Sequence, residues 1–348
     1  MFQDIMIDDL LTKREKNQLV LVDVRSPSEY MDSTIPGSIN IPIFDDRERE
    51  EIGTIYKQIG VAEAKERGLE IVSAKLPSFI KEFQSIPGDK AVFCWRGGMR
   101  SRTSATVLDL MGIKSFRLNG GFRAYRKWVV SRLEDFQIHS EAYVLNGYTG
   151  TGKTLLLQQL KKEGYSVIDL EGLAGHRGSI FGQIGTRPNN QKMFDALLVE
   201  ELTVMKDSPF ILFEAESRRI GKVVLPDFVD QKKLTGKQIF IDMPLEERVK
   251  HILDDYQPWL HQEESIKAFK KIERRIHTPI AAEIGSSLEK GDFETAVGLL
   301  LKHYYDPRYD FSKGNYPKEN IKTIKAKNAE EALLALKKFL PDTARTVK

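Results

Sequence analysis

Short apolar runs separated by polar turns recur along the N-terminal third of the chain. Runs of this length, bounded by Gly, Pro, Ser or Asn, are typical of buried strands, and the segment 101–111 has the apolar spacing of a helix. Strands that alternate with helices predict an α/β fold with a parallel sheet. The strongly charged stretch 45–68 predicts a helical insertion. The four predicted strands are 20–24 (VLVDV), 39–43 (INIPI), 90–94 (KAVFC) and 115–118 (SFRL).

The same alternation starts again after an amphipathic stretch at 131–140, so we predict two domains, 1–132 and 133–348. In the second domain, a strand at 142–146 leads through a glycine loop into a helix at 153–163. Beyond Pro244 the apolar positions have mainly helical spacing. The second domain is therefore predicted to be α/β with a mainly helical C-terminal region. Its further predicted strands are 166–170, 210–213 and 237–242.

Composition narrows the class of protein. A length of 348 residues suits about two domains, and no apolar run approaches the roughly 20 residues that cross a bilayer. The N-terminus lacks the pattern of a signal peptide, so a cytoplasmic protein without a membrane partner is expected. The single cysteine, Cys94, excludes an internal disulfide, and the six histidines form no metal-binding motif. We predict no structural metal.

Positive charge is concentrated in one part of the sequence, although the net charge is only +3. Between residues 94 and 132 there are nine Lys and Arg residues and one acid, Asp109. Such a stretch can form a basic surface that attracts a polyanion. It can equally be a solvated helix face that acids from elsewhere in the fold neutralise. The sequence leaves both interpretations open.

A glycine-containing loop follows the third predicted strand and begins at the only cysteine. Its glycines allow backbone N–H groups to point inward, and the next helix adds its positive N-terminus, so the loop can hold a tetrahedral anion and stabilise a thiolate. Arg100 can bind the same anion bidentately. We predict Cys94 and Arg100 as catalytic residues; a buried structural cysteine is the alternative. The predicted anion-loop residues are Trp95, Arg96, Gly97, Gly98, Met99 and Ser101.

The segment 147–154 (GYTGTGKT) matches the phosphate-binding pattern G-x-x-x-x-G-K-[ST] between a predicted strand and a predicted helix. Backbone N–H groups cradle phosphate in such a loop, Lys153 adds a charge, and the Thr154 hydroxyl can bind Mg²⁺, which makes Mg²⁺ a candidate ligand. The motif predicts a diphosphate or triphosphate and does not by itself indicate ATP. The predicted diphosphate-binding residues are Gly147, Thr149, Gly150, Thr151, Gly152, Lys153 and Thr154.

Two acids follow the predicted strand 210–213, where a second nucleotide-binding motif would place a plain Asp. Glu214 and Glu216 can assist a metal ion or position a substrate. They can also be ordinary charges at the end of a strand, and the sequence does not decide between these interpretations.

The N-terminal domain resembles rhodanese domains. The similarity rests on the segments 21–25 (LVDVR), 35–42 (IPGSINIP) and 118–125 (LNGGFRAY), and it implies that Cys94 forms a persulfide or perselenide. The spacing Cys-x5-Arg is one residue longer than in many sulfur-transferring rhodaneses and equals that of cysteine phosphatases. A longer loop should admit a larger anion, such as a phosphate ester or selenophosphate. Phe93 stands where many of those phosphatases have His, which weakens the phosphatase alternative.

A rhodanese-like domain followed by a phosphate-loop domain is similar to the tRNA 2-selenouridine synthase family, and so are the segments 45–58, 174–182 and 214–221. The resemblance implies S-geranylation of wobble 2-thiouridine in tRNA by geranyl diphosphate, then replacement of the S-geranyl group with selenium from selenophosphate. With tRNA as the implied substrate, the basic excess between residues 94 and 132 makes Arg123, Arg126 and Lys127 the predicted tRNA contacts. The resemblance also implies candidate substrate-binding residues in the later segments: His176, Arg177, Ser179, Glu214, Glu216, Ser217 and Arg218.

The resemblance implies no tightly bound cofactor, and we expect at most a transient contact with a selenophosphate-producing enzyme. Trp95 can stack on an unstacked base of tRNA or pack in the core. Two other functions remain open at this stage. One is an ATP-dependent tRNA sulfurtransferase or kinase-like enzyme, and the other is a non-catalytic tRNA-binding module. The intact Cys94 loop argues against the second.

Overall fold

The structure is a computed structural model that describes residues 2–308 and 320–341 of the chain. Two units separate by their internal contacts: Met1–Asp135 with Asp195–Val199, and Phe136–Phe194 with Glu200–Lys348. Within the described ranges, every helix is too short or too polar to cross a membrane.

The first unit has a parallel five-stranded sheet in the order β1-β5-β4-β2-β3. The α/β fold predicted from the sequence is confirmed, and the four predicted strands are present with slightly different ends. The strand β1 was not predicted, because it is only three residues long. The strands are β1 (Gln3–Ile5), β2 (Leu19–Asp23), β3 (Ile39–Asn40), β4 (Asp89–Phe93) and β5 (Ser115–Leu118). The helices are α1 (Ile7–Glu15), α2 (Pro27–Asp32), α3 (Asp46–Gln58), α4 (Val61–Ser85), α5 (Met99–Leu110) and α6 (Gly121–Glu134).

The charged insertion is a helical hairpin of α3 and α4, and α4 extends well past the predicted end at residue 68. A capping box starts α3, in which Asp45 accepts a hydrogen bond from the Glu48 backbone N–H. The charged side chains of this stretch form ion pairs between the two helices, for example between Arg67 and Glu51 at 2.6 Å. The buried face of α4 packs Phe79, Ile80 and Phe83 against the sheet core.

The second unit has a parallel five-stranded sheet in the order β12-β11-β6-β8-β7 and a separate two-stranded antiparallel pair, β9 and β10. This arrangement confirms the predicted α/β fold, and β6 lies between β11 and β8. The strands are β6 (Glu141–Gly147), β7 (Val167–Ile168), β8 (Phe210–Glu214), β9 (Arg219–Ile220), β10 (Val223–Val224), β11 (Lys237–Asp242) and β12 (Ile321–Lys325). The helices up to β11 are α7 (Lys153–Lys162), α8 (Leu170–Ala174), α9 (Gln191–Val204) and α10 (Asp227–Thr235).

The region after Pro244 is helical up to residue 308, as predicted, but it also supplies the edge strand β12, which the prediction missed. This strand pairs in parallel with β11 along five residues. Only Ile324 of β12 is buried, so its sequence, IKTIK, has little of the apolar signal of a core strand. The helices are α11 (Leu245–Tyr256), α12 (Gln262–Lys270), α13 (Thr278–Lys290), α14 (Phe293–Leu300) and α15 (Ala329–Phe339), with a π-helical turn at Leu301–Tyr305.

Candidate active sites: the cysteine loop and the phosphate loop

Cys94 lies directly after the central strand β4 and five residues before the start of α5. Its side chain is buried, and its Sγ atom is 3.2 Å from the Oγ atom of Ser101 in the first turn of α5. The thiol therefore lies at the N-terminal end of a helix, where backbone N–H groups and the helix dipole favour negative charge.

The segment around Gly121 packs directly against the backbone of the cysteine loop. Gly121 has a φ of +60°, and a Cβ atom there would lie 2.2 Å from the Cys94 carbonyl oxygen and 2.4 Å from the Gly97 nitrogen. The next two residues bind the loop through their backbones, because Phe122 N–H donates to Cys94 O and Arg123 N–H donates to Trp95 O, both at 2.9 Å. The motif LNGGF thus fixes the shape of the cysteine loop.

Arg100 forms an ion pair with another residue, so its guanidinium is not available as a simple anion ligand of the loop. Its guanidinium donates two hydrogen bonds to the carboxylate of Glu29, one of them at 3.1 Å. Burial opposes ionisation of Glu29, but the Arg100 guanidinium more than compensates and lowers the pKa of this carboxyl. Both residues line an open cleft of about 670 Å³ together with Arg25, Arg49 and Trp95. The lining of the cleft also holds the acids Glu29, Asp32, Asp46 and Glu50, so its charge is mixed, and Glu29 holds Arg100 in place.

The remaining residues of the cysteine loop differ in exposure. Trp95 is half-buried with its ring 5.6 Å from that of Phe122, so it packs on the core and also lines the cleft. Arg96, Gly98 and Met99 are exposed, whereas Ser101 is fully buried beside the thiol.

The phosphate loop joins β6 to α7. Lys153 donates from its Nζ atom to the Gly147 carbonyl at 3.1 Å, and the Thr151 hydroxyl donates to the Tyr148 carbonyl at 2.9 Å, so the loop is closed by its own side chains. Gly150 has a φ of +83°, and a Cβ atom there would lie 2.6 Å from the Arg248 carbonyl oxygen. All seven predicted diphosphate-binding residues are brought together in this turn.

A cluster of carboxyl groups faces the phosphate loop. The Thr154 hydroxyl donates to Glu171 at 2.9 Å, and the Glu171 backbone N–H donates to Glu214 at 2.7 Å. Burial, followed by the neighbouring Glu216 carboxylate, raises the pKa of Glu171 to about 8. Burial also raises the pKa of Glu216, and burial together with nearby Asp169 raises that of Glu214 well above its usual value. The Glu171 carboxyl is therefore mostly protonated near neutral pH, and the pKa values of Glu214 and Glu216 are shifted in the same direction.

Sequence reasoning missed Glu171, although it directly contacts the phosphate loop. Glu171 lies at the start of α8, just after β7. The sequence does contain one indication of its role, because acids that follow the carboxyl end of a strand in such a sheet often lie near the ligand. Of the two acids singled out in the sequence, Glu214 is buried next to Glu171, and its Oε2 atom has no hydrogen-bond partner among the described residues. Glu216 lines the cleft of about 420 Å³ beside Lys153.

The other predicted substrate-binding residues separate into two groups. Arg177 and Ser179 line the cleft beside the phosphate loop. Among the described residues that line this cleft, His176, Ser217 and Arg218 are absent. Burial, followed by Arg177, lowers the pKa of His176, whose ring packs against the backbone of Gly182 and Gly221. The remaining two are exposed, and Arg218 pairs with Asp227 on α10.

Helix α11 braces the phosphate loop, which the sequence did not reveal. Arg248 is buried, donates from Nε to the Thr149 carbonyl at 2.9 Å, and forms a two-bond ion pair with Asp306. On the next turn, His251 Nδ1 lies 3.0 Å from the Gly150 carbonyl oxygen. The helical C-terminal region therefore helps to fix the loop, and no local motif marks these residues.

An apolar cavity adjoins the phosphate cleft within the second unit. Five residues line both spaces: Thr149, Ser179, Ile252, Tyr256 and Tyr305. The further walls come from α12, α13, α14 and the loop 181–184, and almost all of their side chains are apolar. A ligand bound at the phosphate loop can thus continue into an apolar space.

The basic stretch 94–132 is partly neutralised. Arg126 is half-buried and pairs with Asp195 at 2.7 Å, and Arg117 pairs with Asp4 at 2.6 Å. Arg123 and Lys127 are exposed on α6. Acids from elsewhere in the fold thus neutralise part of this stretch, whereas the exposed Arg123 and Lys127 keep polyanion binding as a prediction.

We predict that Glu171 makes folding stability depend on pH. Between its ordinary pKa of 4.5 and its folded value of about 8, the folded protein holds a proton that the unfolded chain releases. The stabilisation from this proton is complete below about pH 4.5 and is lost as the pH rises to 8. Its slope is at most about 1.4 kcal/mol per pH unit.

Urea unfolding at pH 5, 6, 7 and 8 measures this effect. Glu171→Gln should flatten the fall in the free energy of unfolding, with a residual slope from Glu214 and Glu216. Glu246→Gln, at an exposed position of α11, controls for the loss of one formal charge. Equal slopes in wild type and Glu171→Gln would show that Glu171 is ionised in the folded protein.

Comparison with known proteins places these two sites in one family. A sequence model described as the tRNA 2-selenouridine synthase AAA domain matches residues 140–339, and a model of the rhodanese-like domain matches residues 6–127. The first match alone covers more than half of the chain. The family resemblance and the domain types predicted from the sequence are confirmed.

Curated relatives agree over most of their length. A tRNA 2-selenouridine synthase of Sulfurovum sp. is 32% identical over 330 residues, which cover 85% of this chain and 89% of the relative. The tRNA 2-selenouridine synthase of Bdellovibrio bacteriovorus is 32% identical over 345 residues, covering 86% and 90%. That of Nitrosomonas europaea is 35% identical over 261 residues, covering 73% and 67%. The chain thus belongs to the tRNA 2-selenouridine synthase family of selenium-transferring enzymes.

Proposed function

We propose that the protein converts wobble 2-thiouridine of tRNA to 2-selenouridine in two stages, S-geranylation by geranyl diphosphate and then selenation by selenophosphate. Family membership supports the overall conversion. The observation that carries the geranyl stage is that the phosphate cleft and an apolar cavity adjoin and share five lining residues. A donor with a diphosphate head and a hydrocarbon tail has the two chemistries that these adjoining spaces offer.

The phosphate loop suits the leaving group of the first stage. The thiouridine sulfur attacks C1 of the geranyl group, a C–S bond forms, and the C–O bond to diphosphate breaks. Negative charge then grows on the diphosphate, where the N–H groups of the loop and Lys153 stabilise it. Arg248 and His251 hold the Thr149 and Gly150 carbonyls, so these donors keep their geometry without reorganisation.

The residues at the loop also fit a Mg²⁺ ion bound with diphosphate. The Thr154 hydroxyl and the Glu171 side chain are in contact and would hold it, with Glu171 binding as the carboxylate after it releases its proton. This small set is in keeping with a cation that takes few protein ligands beside phosphate oxygens. Bound Mg²⁺ would neutralise charge on the leaving group. Among the described residues, no three His, Cys, Asp or Glu side chains form a metal cage of their own.

The cysteine loop suits the second stage. Selenophosphate is a tetrahedral anion, and the loop before α5 presents backbone N–H groups at a helix N-terminus next to Cys94. Cys94 either carries selenium covalently or orients selenophosphate toward the geranylated base. The adjoining cleft has a lining of mixed charge, so the backbone N–H groups of the loop are the proposed anion ligands, with Arg100 next to them.

The tRNA substrate brings a polyanionic backbone, and exposed Arg123 and Lys127 are the proposed contacts, with Arg126 in a supporting position. A cytoplasmic location and a transient contact with a selenophosphate-producing enzyme belong to the same proposal, because both substrates must reach the protein there.

Lys153→Ala should abolish geranylation of thiolated tRNA, because the leaving diphosphate loses its main point charge. Lys162→Ala, an exposed position on the same helix, is the matched control and should keep the wild-type rate. The measurement is nucleoside mass spectrometry after incubation with geranyl diphosphate in the absence of nucleotide. A strict requirement for ATP in the wild type would instead support an ATP-dependent sulfurtransferase or kinase-like enzyme.

Cys94→Ser should leave geranylation nearly intact while selenium incorporation falls by orders of magnitude, because a hydroxyl is a far weaker nucleophile than a thiol. Geranylated tRNA should accumulate, and it serves as the internal control for folding and tRNA binding. Mass spectrometry of nucleosides after incubation with both substrates gives the answer. Selenation at the wild-type rate would show that Cys94 has only a structural role, and loss of geranylation would show that the stages are coupled.

Replacing Arg123 and Lys127 together by Ala should reduce the salt dependence of tRNA binding. Each neutralised phosphate contributes a slope of roughly −0.7 to −0.9 to log K against log salt concentration, so the slope should flatten by about one to two units. Adding Arg126→Ala should change it less, because Asp195 already neutralises that guanidinium. Lys65→Ala with Lys81→Ala, at exposed positions of α4, is the control. An unchanged slope in the test variant would place the tRNA contacts elsewhere.

A further inference from the structure

The apolar cavity beside the phosphate loop has a lining suited to a hydrocarbon. Apart from the residues that also line the phosphate cleft, the polar side chain among the described lining residues is Ser265. Its hydroxyl already donates to the His261 carbonyl at 3.0 Å. The apolar residues that line the cavity and not the cleft include Phe181, Ile184, Leu288, Phe293, Val297 and Leu300. Such walls provide apolar surface and little hydrogen-bonding capacity, so they favour an aliphatic chain over the polar edge of a base.

The polar groups of the cavity are at its junction with the cleft. The hydroxyls of Tyr256 and Ser179 are 3.2 Å apart, and the Arg177 guanidinium lies 4.6 Å from the centre of the Tyr256 ring. Because Tyr256 and Ser179 line both spaces, a molecule with its charged end at Lys153 would pass these groups before it enters the apolar part.

Several walls of the cavity belong to a tightly packed helical cluster. Leu288 on α13 and Leu300 on α14 are nearly fully buried, and they pack with Ile284 and Ala296 in one core. The cavity itself is small, about 60 Å³. A close-packed core cannot yield to extra methylene groups without cost, so these walls limit the length of a chain that enters.

We propose that Leu288, Val297 and Leu300 set the prenyl chain length of the diphosphate donor by closing the apolar cavity. The inference rests on the proposed function, in which the donor is a prenyl diphosphate. It goes beyond it by assigning chain-length specificity to residues of α13 and α14, remote in sequence from the phosphate loop.

Two variants with opposite effects test the proposal, with dimethylallyl, geranyl and farnesyl diphosphate as donors. Val297→Phe fills the cavity and should lower kcat/KM for geranyl diphosphate relative to dimethylallyl diphosphate at least about tenfold. Leu300→Ala lengthens the cavity and should raise kcat/KM for farnesyl relative to geranyl diphosphate by a similar factor. Inorganic diphosphate probes the head site alone, and both variants should bind it within about twofold of wild type.

Leu299→Ala and Leu299→Phe are matched controls, since Leu299 packs in the same cluster without lining the cavity; their donor ratios should be those of wild type. If Leu300→Ala does not fold, Val297→Phe decides alone. Unchanged donor ratios in a folded Val297→Phe variant overturn the chain-length assignment. A wild type that selenates tRNA but neither binds nor uses any of the three donors refutes the proposed function itself.

Discussion

Both candidate sites depend on one constraint, which is that a central parallel strand ends where a helix begins. At the ends of β4 and β6 the chain must turn sharply, and backbone N–H groups of the turn and the following helix have no partner within the helix. Such donors are suited to holding an anion. Each strand is flanked by neighbours on both sides, so each turn is fixed at a rigid sheet edge. The two units thus share one backbone arrangement.

Local motifs made the two loops predictable. The residues from Cys94 to Ser101 and from Gly147 to Thr154 are contiguous, and each segment follows a strongly apolar strand, so their position between a strand and a helix could be predicted from the sequence. The groups around them come from distant segments. Glu171, Arg248 and His251 reach the phosphate loop only because the sheet and α11 bring them there, and no periodic pattern records such contacts.

Other parts of the prediction failed for identifiable physical reasons. The edge strand β12 exposes most of its side chains and is rich in Lys, so its sequence lacks the apolar run of a core strand. The helix α4 continues through Gly68 and Pro77, residues that usually end or bend a helix, because its apolar face packs on the sheet of the first unit. The charge of Arg126 was visible in the sequence, but its ion pair with Asp195 was not.

The contact between Gly121 and the cysteine loop has a consequence for how sequence changes in this family are interpreted. The shape of the cysteine loop is constrained by Gly121, a residue 27 positions after the cysteine. A side chain at this position would push on the Cys94 carbonyl and the Gly97 nitrogen and so change the direction of the N–H groups of the loop. Such a substitution would lower turnover as if a functional side chain had been removed, although Cys94 and Arg100 were both still present. An intact Cys-x5-Arg sequence is therefore an insufficient sign of a working site, and the paired glycines are the more informative mark.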